Sequence, residues 1–310
     1  ERPAFIVPNL GLWVGDNLLP FDQNHYFHIP WQLEECDPSP ITELFQVRNR
    51  STIGQIDVGD DGQVFSERLQ SELSGVIYEA PMTRERLIKW LDKRIEHPEV
   101  RMSSAVMFIE NALQKLEEFG HSFERLVQHK YGLKRALARL VQDLRRQRGE
   151  AGHKTLIETR ADKFQTSADI GFLFKEDRYG FNWPYDGPFR FQKHLFPIVG
   201  DLKSTGEEFE CACHLDGMEQ IAFWVRNVDR KPNSFWLQTP NDKFYPDFVA
   251  RLKDGRTFIV EYKGEYLVSA EDAQQKELIG KIWAEHSEGA CLFVLVSDRN
   301  FHKIDTLIAN

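Results

Sequence analysis

Four cysteines in 310 residues, Cys36, Cys211, Cys213 and Cys291, are too few to build a disulfide framework. Cys211 and Cys213 are followed by His214, yet this triplet falls in a helical pattern with no second ligand pair, which argues against a zinc site. No apolar run approaches a membrane span, so no membrane partner is expected, and the sparse cysteine usage fits a reducing, cytoplasmic setting. Basic excess is also missing: 39 Lys and Arg against 48 Asp and Glu leave a net charge of -9, which excludes indiscriminate nucleic-acid binding but not a locally basic face. There is no Gly-x-x-x-x-Gly-Lys-Ser/Thr phosphate loop and no acidic motor motif after an apolar strand, so ATP hydrolysis and translocation are not expected of this chain. No internal repeat or low-complexity tract occurs. What remains, 41% hydrophobic and 28% charged residues, is ordinary globular composition with length for two or more domains.

Periodicity divides the chain into four stretches. Residues 1–82 read as a β-rich connector, with Phe5-Ile6-Val7 and Leu10 to Val14 running toward the Gly15-Asp16-Asn17 turn and Ile53 to Val58 preceding Gly59-Asp60-Asp61-Gly62. Residues 83–160 read as a helical subdomain. Leu87, Ile88, Leu91 and Ile95 mark a helix that Thr83 caps and His97-Pro98 ends; Ala105, Phe108, Ile109, Ala112, Leu113 and Leu116 mark a second, closed by Gly120. Further helix is expected from Ser122 to Arg148, broken near Gly132 and loosening at Gly149 and Gly152. Residues 161–206 form a strand, Ile170 to Phe174, and an aromatic-rich connection in which packing outweighs base stacking. From Glu207 to the end, the pattern of helix, strands, helix, strand and helix predicts an α/β domain: a mixed sheet flanked by helices.

The most informative stretch lies in this last part: Tyr245-Pro246-Asp247-Phe248, then Asp254-Gly255, then Val260-Glu261-Tyr262-Lys263-Gly264. A three-residue loop, Lys253 to Gly255, sets Leu252 against Arg256 and Asp247 against Glu261. Phe248, Ala250, Leu252, Phe258, Val260 and Tyr262 then share one face, while Asp247, Glu261 and Lys263 share the other. A two-residue Asp-Gly loop slips the pairing by one and mixes the faces, so the longer loop is preferred. Two carboxylates with an ammonium beside them can hold a divalent cation and orient water, as phosphodiester hydrolysis requires. The plain alternative is an exposed hairpin with incidental cross-strand charges. Against it, Phe258-Ile259-Val260 places Glu261 at the end of a strand apolar enough to be central, where unpaired carboxylates are costly.

The run from Glu207 to Val296 resembles the nuclease module at the C-terminus of the restriction (helicase-nuclease) subunit of type III restriction enzymes, a member of the PD-(D/E)xK superfamily. The resemblance is carried by Glu207-Glu208-Phe209-Glu210-Cys211-Ala212, Trp224-Val225-Arg226-Asn227, Ser234 to Thr239, Phe244 to Phe248, Asp254-Gly255-Arg256 and Val260 to Gly264. Lys276 with Gly280 and Trp283, then Cys291 to Val294, complete the order, and a weaker likeness continues toward residue 1. It implies a Mg²⁺-dependent DNA endonuclease leaving 5′-phosphate ends, with Mn²⁺ able to substitute. Asp247 and Glu261 would be metal ligands, the Tyr262 carbonyl a third, and Lys263 the catalytic lysine. Glu208 falls where an additional acidic metal residue is often found; Glu207 and Glu210 compete, and Glu208 is preferred for its inner neighbours Cys211, Ala212 and Leu215. Gln275 and Lys276 are accessory candidates, with solvated helix charges as the alternative. The resemblance also implies double-stranded DNA, an upstream ATP-driven motor and a modification (methyltransferase) subunit as partners in host-defence restriction. The motor motifs are missing and the chain opens at Glu1-Arg2-Pro3 without methionine, so a fragment holding the part C-terminal to the motor is expected.

One segment departs from the acidic average. Arg139, Arg145, Arg146 and Arg148 belong to a basic run flanking the helical stripe Leu133, Leu137, Leu140, Val141 and Leu144. It is either the solvated face of a packed helix or a phosphate-contacting DNA-binding arm.

Overall fold

The computed structural model describes residues 4–27, 30–46, 56–58, 64–66, 82–97, 99–264 and 270–309, with backbone alone at 56–58, 64–66, 176 and 270. In chain order the elements are β1 (Phe5–Val14), β2 (Asn17–Pro20), α1 (Ile41–Leu44), β3 (Ile56–Val58), β4 (Val64–Ser66), α2 (Arg84–Asp92), α3 (Met102–Glu118), α4 (Phe123–Gln128) and α5 (Lys130–Arg160). Then come β5 (Phe164–Phe174), α6 (Glu207–Gly217), β6 (Ile221–Arg226), β7 (Leu237–Gln238), β8 (Lys243–Phe244), β9 (Phe248–Leu252), β10 (Thr257–Lys263), α7 (Ala270–Glu285), β11 (Cys291–Ser297) and α8 (His302–Ala309). Contacts divide the chain into one unit of Glu1–Phe27 with Gly149–Asn310, and another of His28–Arg148. The protein is thus mixed α/β, and its larger sheet is mixed and flanked by helices.

That sheet has the order β11-β10-β9-β6, with β10 and β11 parallel and the other pairs antiparallel. Thr257 through Tyr262 are all buried, as expected of a strand covered on both faces. On one face Phe248, Ala250, Leu252, Phe258, Val260 and Tyr262 join Trp224, Val294 and Val296 in a core closed by Cys211, Ala212 and Leu215 of α6 and Ile304 and Ile308 of α8. The other face carries Val249, Thr257 and Ile259, all fully buried rather than solvated. Helix α7 covers it. Gly280 lies so close to the Phe293 ring that an added Cβ would come within 2.5 Å of three ring atoms.

A second sheet, β2-β1-β5, belongs to the same unit: β1 forms the predicted hairpin with β2 and pairs antiparallel with β5, joining stretches far apart in sequence. Arg251 of β9 donates to the Ile6 carbonyl at 3.0 Å, and Trp283 of α7 donates to the Pro8 carbonyl at 2.8 Å. Phe235 is buried, and β7 pairs antiparallel with β8 apart from the larger sheet. Phe191 packs edge-on against Trp224 at 5.2 Å and Phe196 stacks on Tyr179 at 4.4 Å, so these aromatics of the long connection are packing residues.

In the His28–Arg148 unit, Thr83 caps α2 through the Arg86 amide, and Leu87, Ile88 and Leu91 face inward. The α3 stripe is buried from Ala105 to Leu116, and Gly120 follows the helix at φ +107°. The expected break at Gly132 falls instead at His129, between α4 and α5. Gly149 and Gly152 do not loosen the helix; α5 runs through both. Their role is close approach: an added Cβ would lie 2.9 Å from the Pro240 carbonyl at Gly149 and 2.7 Å from the Tyr26 carbonyl at Gly152. Strands β3 and β4 pair antiparallel, while the Gly59 to Gly62 turn expected between them lies outside the described residues.

Candidate active site

The site is built where β9 and β10 end together. Pairs Thr257 with Arg251 and Val260 with Phe248 put Glu261 next in register against Asp247. The loop closes as expected for three residues: the Leu252 amide donates to the Arg256 carbonyl at 2.9 Å, the Gly255 amide to the Leu252 carbonyl at 3.1 Å, and Gly255 takes φ +95°.

The two carboxylates interlock through backbone amides. The Asp247 amide donates to Glu261 Oε2 at 3.3 Å, and the Tyr262 amide donates to Asp247 Oδ2 at 2.8 Å. Each side chain is thereby held by the other's strand. Asp247 Oδ1 accepts from Arg226 Nη1 at 2.6 Å, and Glu261 Oε1 accepts from Lys276 Nζ at 3.0 Å. Glu261 is 7% exposed; burial, followed by the Asp247 charge, pushes its carboxyl well above the usual range although Lys276 opposes this. Burial alone would depress the Lys276 ammonium, but Glu261 and Asp272 outweigh it and hold the group above the ordinary lysine value.

Lys263 follows Glu261 by two residues and so shares its side of β10. It is partly exposed and has no hydrogen-bond or ion-pair partner among the described residues. Tyr262 points the other way, into the core, where its hydroxyl accepts from the Arg299 amide at 2.9 Å. Only its backbone is near the acids.

Glu208, in the first turn of α6, reaches Asp247 through an arginine: Arg226 donates from Nη2 to Glu208 Oε2 at 2.7 Å and from Nη1 to Asp247. Burial and the Asp247 charge push the Glu208 carboxyl upward. Glu207 and Glu210 turn instead toward Arg299, at 3.7 and 2.6 Å. Gln275 is partly buried and makes no hydrogen bond among the described residues, whereas its neighbour Lys276 is engaged with Glu261 and Asp272. Among the described residues, no three of His, Cys, Asp and Glu stand together as a group able to hold a metal ion. The donor set that does converge is the Asp247–Glu261 pair, hard anionic oxygens of the kind Mg²⁺ takes from one or two carboxylates. Each of their oxygens accepts one N–H bond, and a carboxylate oxygen retains a second lone pair, so the chemistry of the pair fits such an ion.

The sequence pattern assigns no role to Arg226 or Asn227, although a cation ending the apolar run Ile221 to Val225 already demands a buried carboxylate partner. Arg226 lies over the Phe248 ring at 5.1 Å, and its Nε is buried without a partner among the described residues. Its amide donates to His194 Nε2 at 3.2 Å and its carbonyl accepts from the Tyr179 hydroxyl at 2.9 Å, so the strand end is fixed from the side of the long connection. Asn227 latches the approach to Asp247: its Nδ2 donates to the Phe235 and Pro246 carbonyls at 2.9 and 2.8 Å, its Oδ1 accepts from the Phe235 amide at 2.9 Å, and its amide donates to the Asp247 carbonyl at 2.9 Å.

The predicted basic arm lies on α5 in the other unit. Leu133, Leu137, Leu140 and Val141 are buried as the stripe requires. Arg145 is engaged bidentately by Glu99 at 2.7 and 2.6 Å, so it serves an internal ion pair. Arg139, Arg146 and Arg148 are exposed, and Arg148 lies 5.9 Å from the Trp31 ring. His214 pairs with Asp305 at 2.8 Å while Cys211 is buried in the core, so the Cys-x-Cys-His triplet does not converge. Among the described residues no helix is long and apolar enough to cross a membrane. Comparison with protein-family models, with curated proteins and with solved structures gave no match for this chain.

Proposed function

We propose that this chain carries a Mg²⁺-dependent DNA endonuclease module of the PD-(D/E)xK type, from a type III-like restriction enzyme. The observation that carries the reading is the convergence of Asp247 and Glu261 from adjacent strands, Glu261 accepting from the Asp247 amide and Asp247 from the Tyr262 amide. Lys263 on the same side, unpaired among the described residues, supports it. Asp247 and Glu261 would hold the cation, with the Tyr262 carbonyl as a third donor. Mg²⁺ bound there supplies charge to the scissile phosphate and a more acidic water. Lys263 would donate to the phosphate or to the attacking water, adding fixed positive charge where negative charge develops. Glu208 acts through Arg226 in this arrangement rather than as a direct ligand. Double-stranded DNA is the substrate, and an ATP-driven motor and a modification subunit are the partners this reading assigns, in a cytoplasmic restriction system.

Asp247→Ala and Lys263→Ala are expected to abolish Mg²⁺-dependent DNA cutting while circular dichroism stays native. Retained cutting in both variants rejects the assignment. The competing reading is a non-catalytic module that tethers DNA or docks a subunit. It is favoured by the carboxylates being already neutralised, by Arg226 and Lys276. Calorimetry separates the two, since a tethering module has no reason to bind Mg²⁺ or Mn²⁺ at Asp247 and Glu261.

A further inference from the structure

Arg226 is the most buried cation of the site, its side chain only 11% exposed, and it stands between two carboxylates rather than beside one. Its terminal nitrogens reach Asp247 Oδ1 at 2.6 Å and Glu208 Oε2 at 2.7 Å. A further bond from Nη1 to the Asp247 carbonyl at 3.2 Å ties it to the backbone. The terminal nitrogens share one carbon, so both carboxylates converge on the same guanidinium. Phosphodiesterases that use two metal ions place the second about 4 Å from the first, with a shared carboxylate between them. Here the shared carboxylate is Asp247: one oxygen faces Glu261's strand and the other faces the guanidinium.

Resting on the nuclease reading, we propose that Arg226 is a positioning residue standing where a second divalent cation would bind, so that the site takes one ion. A guanidinium is permanently charged and offers fixed donors, so it bridges Asp247 and Glu208 without exchanging with solvent cations. Displacing it would leave that charge buried against Phe248 without its acids. Glu208 then serves as the second tether of Arg226, which accounts for its place beside the site without membership in the Asp247–Glu261 pair. Lys276 differs: it is paired with Glu261 and Asp272 on a flexible stem at the partly exposed margin, so it can yield to an incoming ion.

The test is Mn²⁺ calorimetry on the whole chain without DNA. The wild type is expected to bind one equivalent at this site, lost in Asp247→Ala. Arg226→Gln removes the resident cation and leaves Asp247 and Glu208 facing each other, and two equivalents are expected. Arg226→Gln with Glu208→Gln is expected to return to one. A single equivalent, or none, in a folded Arg226→Gln protein overturns the inference. If that variant does not fold, Glu208→Gln alone decides: the wild-type equivalent must persist with affinity within about threefold, and a loss of about tenfold or more makes Glu208 a ligand and overturns the inference. No binding in the wild type itself would instead sink the nuclease reading, so the two failures are distinct.

Discussion

Replacing Asn227 by alanine is expected to unlatch the strand that delivers Asp247. The side chain is 3% exposed and makes three bonds, two to the carbonyls of Phe235 and Pro246 and one from the Phe235 amide. Alanine leaves all three backbone groups unpaired in a closed site. An orphaned buried polar group costs roughly 1–3 kcal/mol, and partial rescue by water brings the total to about 4 kcal/mol. At 1.4 kcal/mol per tenfold, local opening becomes roughly a thousandfold more frequent. Hydrogen exchange is the suitable assay, because the chain holds two units whose unfolding transitions need not coincide. The Phe235 amide and the β9 amides are expected to exchange about a thousandfold faster, while α3 in the other unit keeps its protection. Asn227→Asp isolates the donor: it retains an acceptor for the Phe235 amide but cannot give a proton to either carbonyl, and is expected to fall between alanine and wild type or below both. Exchange of Phe235 within about fivefold of wild type in the alanine variant would refute the latch.

Two further outcomes rest on packing and burial. Gly280→Ala puts a methyl against the buried Phe293 ring and is expected to cost about 1–3 kcal/mol in the Asp247-bearing unit, read as faster exchange in α7 and β11. His153, 2% exposed and packed edge-on against Tyr26 at 5.1 Å, has its pKa lowered by burial from 6.5 to about 4. Between these values the unfolded chain binds the proton and the folded chain does not. Stability is therefore full above pH 6.5 and is lost as pH falls toward 4, by roughly 3 kcal/mol in all, and His153→Phe is expected to flatten that slope in acid-denaturation profiles.

The hairpin was legible because its two faces differ: only one register gathers Phe248, Ala250, Leu252, Phe258, Val260 and Tyr262, and that register carries Asp247 to Glu261. The stripes of α2, α3 and α5 were legible for the same reason, each apolar residue recurring at helical spacing. Glycine misled where it served contact rather than conformation: Gly149 and Gly152 read as breakers, yet α5 needs their missing side chains to pass Pro240 and Tyr26. The pairing of β1 with β5 spans more than a hundred residues, and no local pattern announces such a partner. Arg226 and Lys276 show the limit for the site itself. Their charges were visible in the sequence, but which carboxylate each would meet depends on strand order and on the docking of α7.

The most direct test of the central claim is a crystal of this chain soaked in Mn²⁺ and measured at the manganese edge. The account predicts one anomalous peak between the carboxylates of Asp247 and Glu261, absent from the Asp247→Ala protein. No peak at that pair, or a peak that survives the substitution, would contradict it.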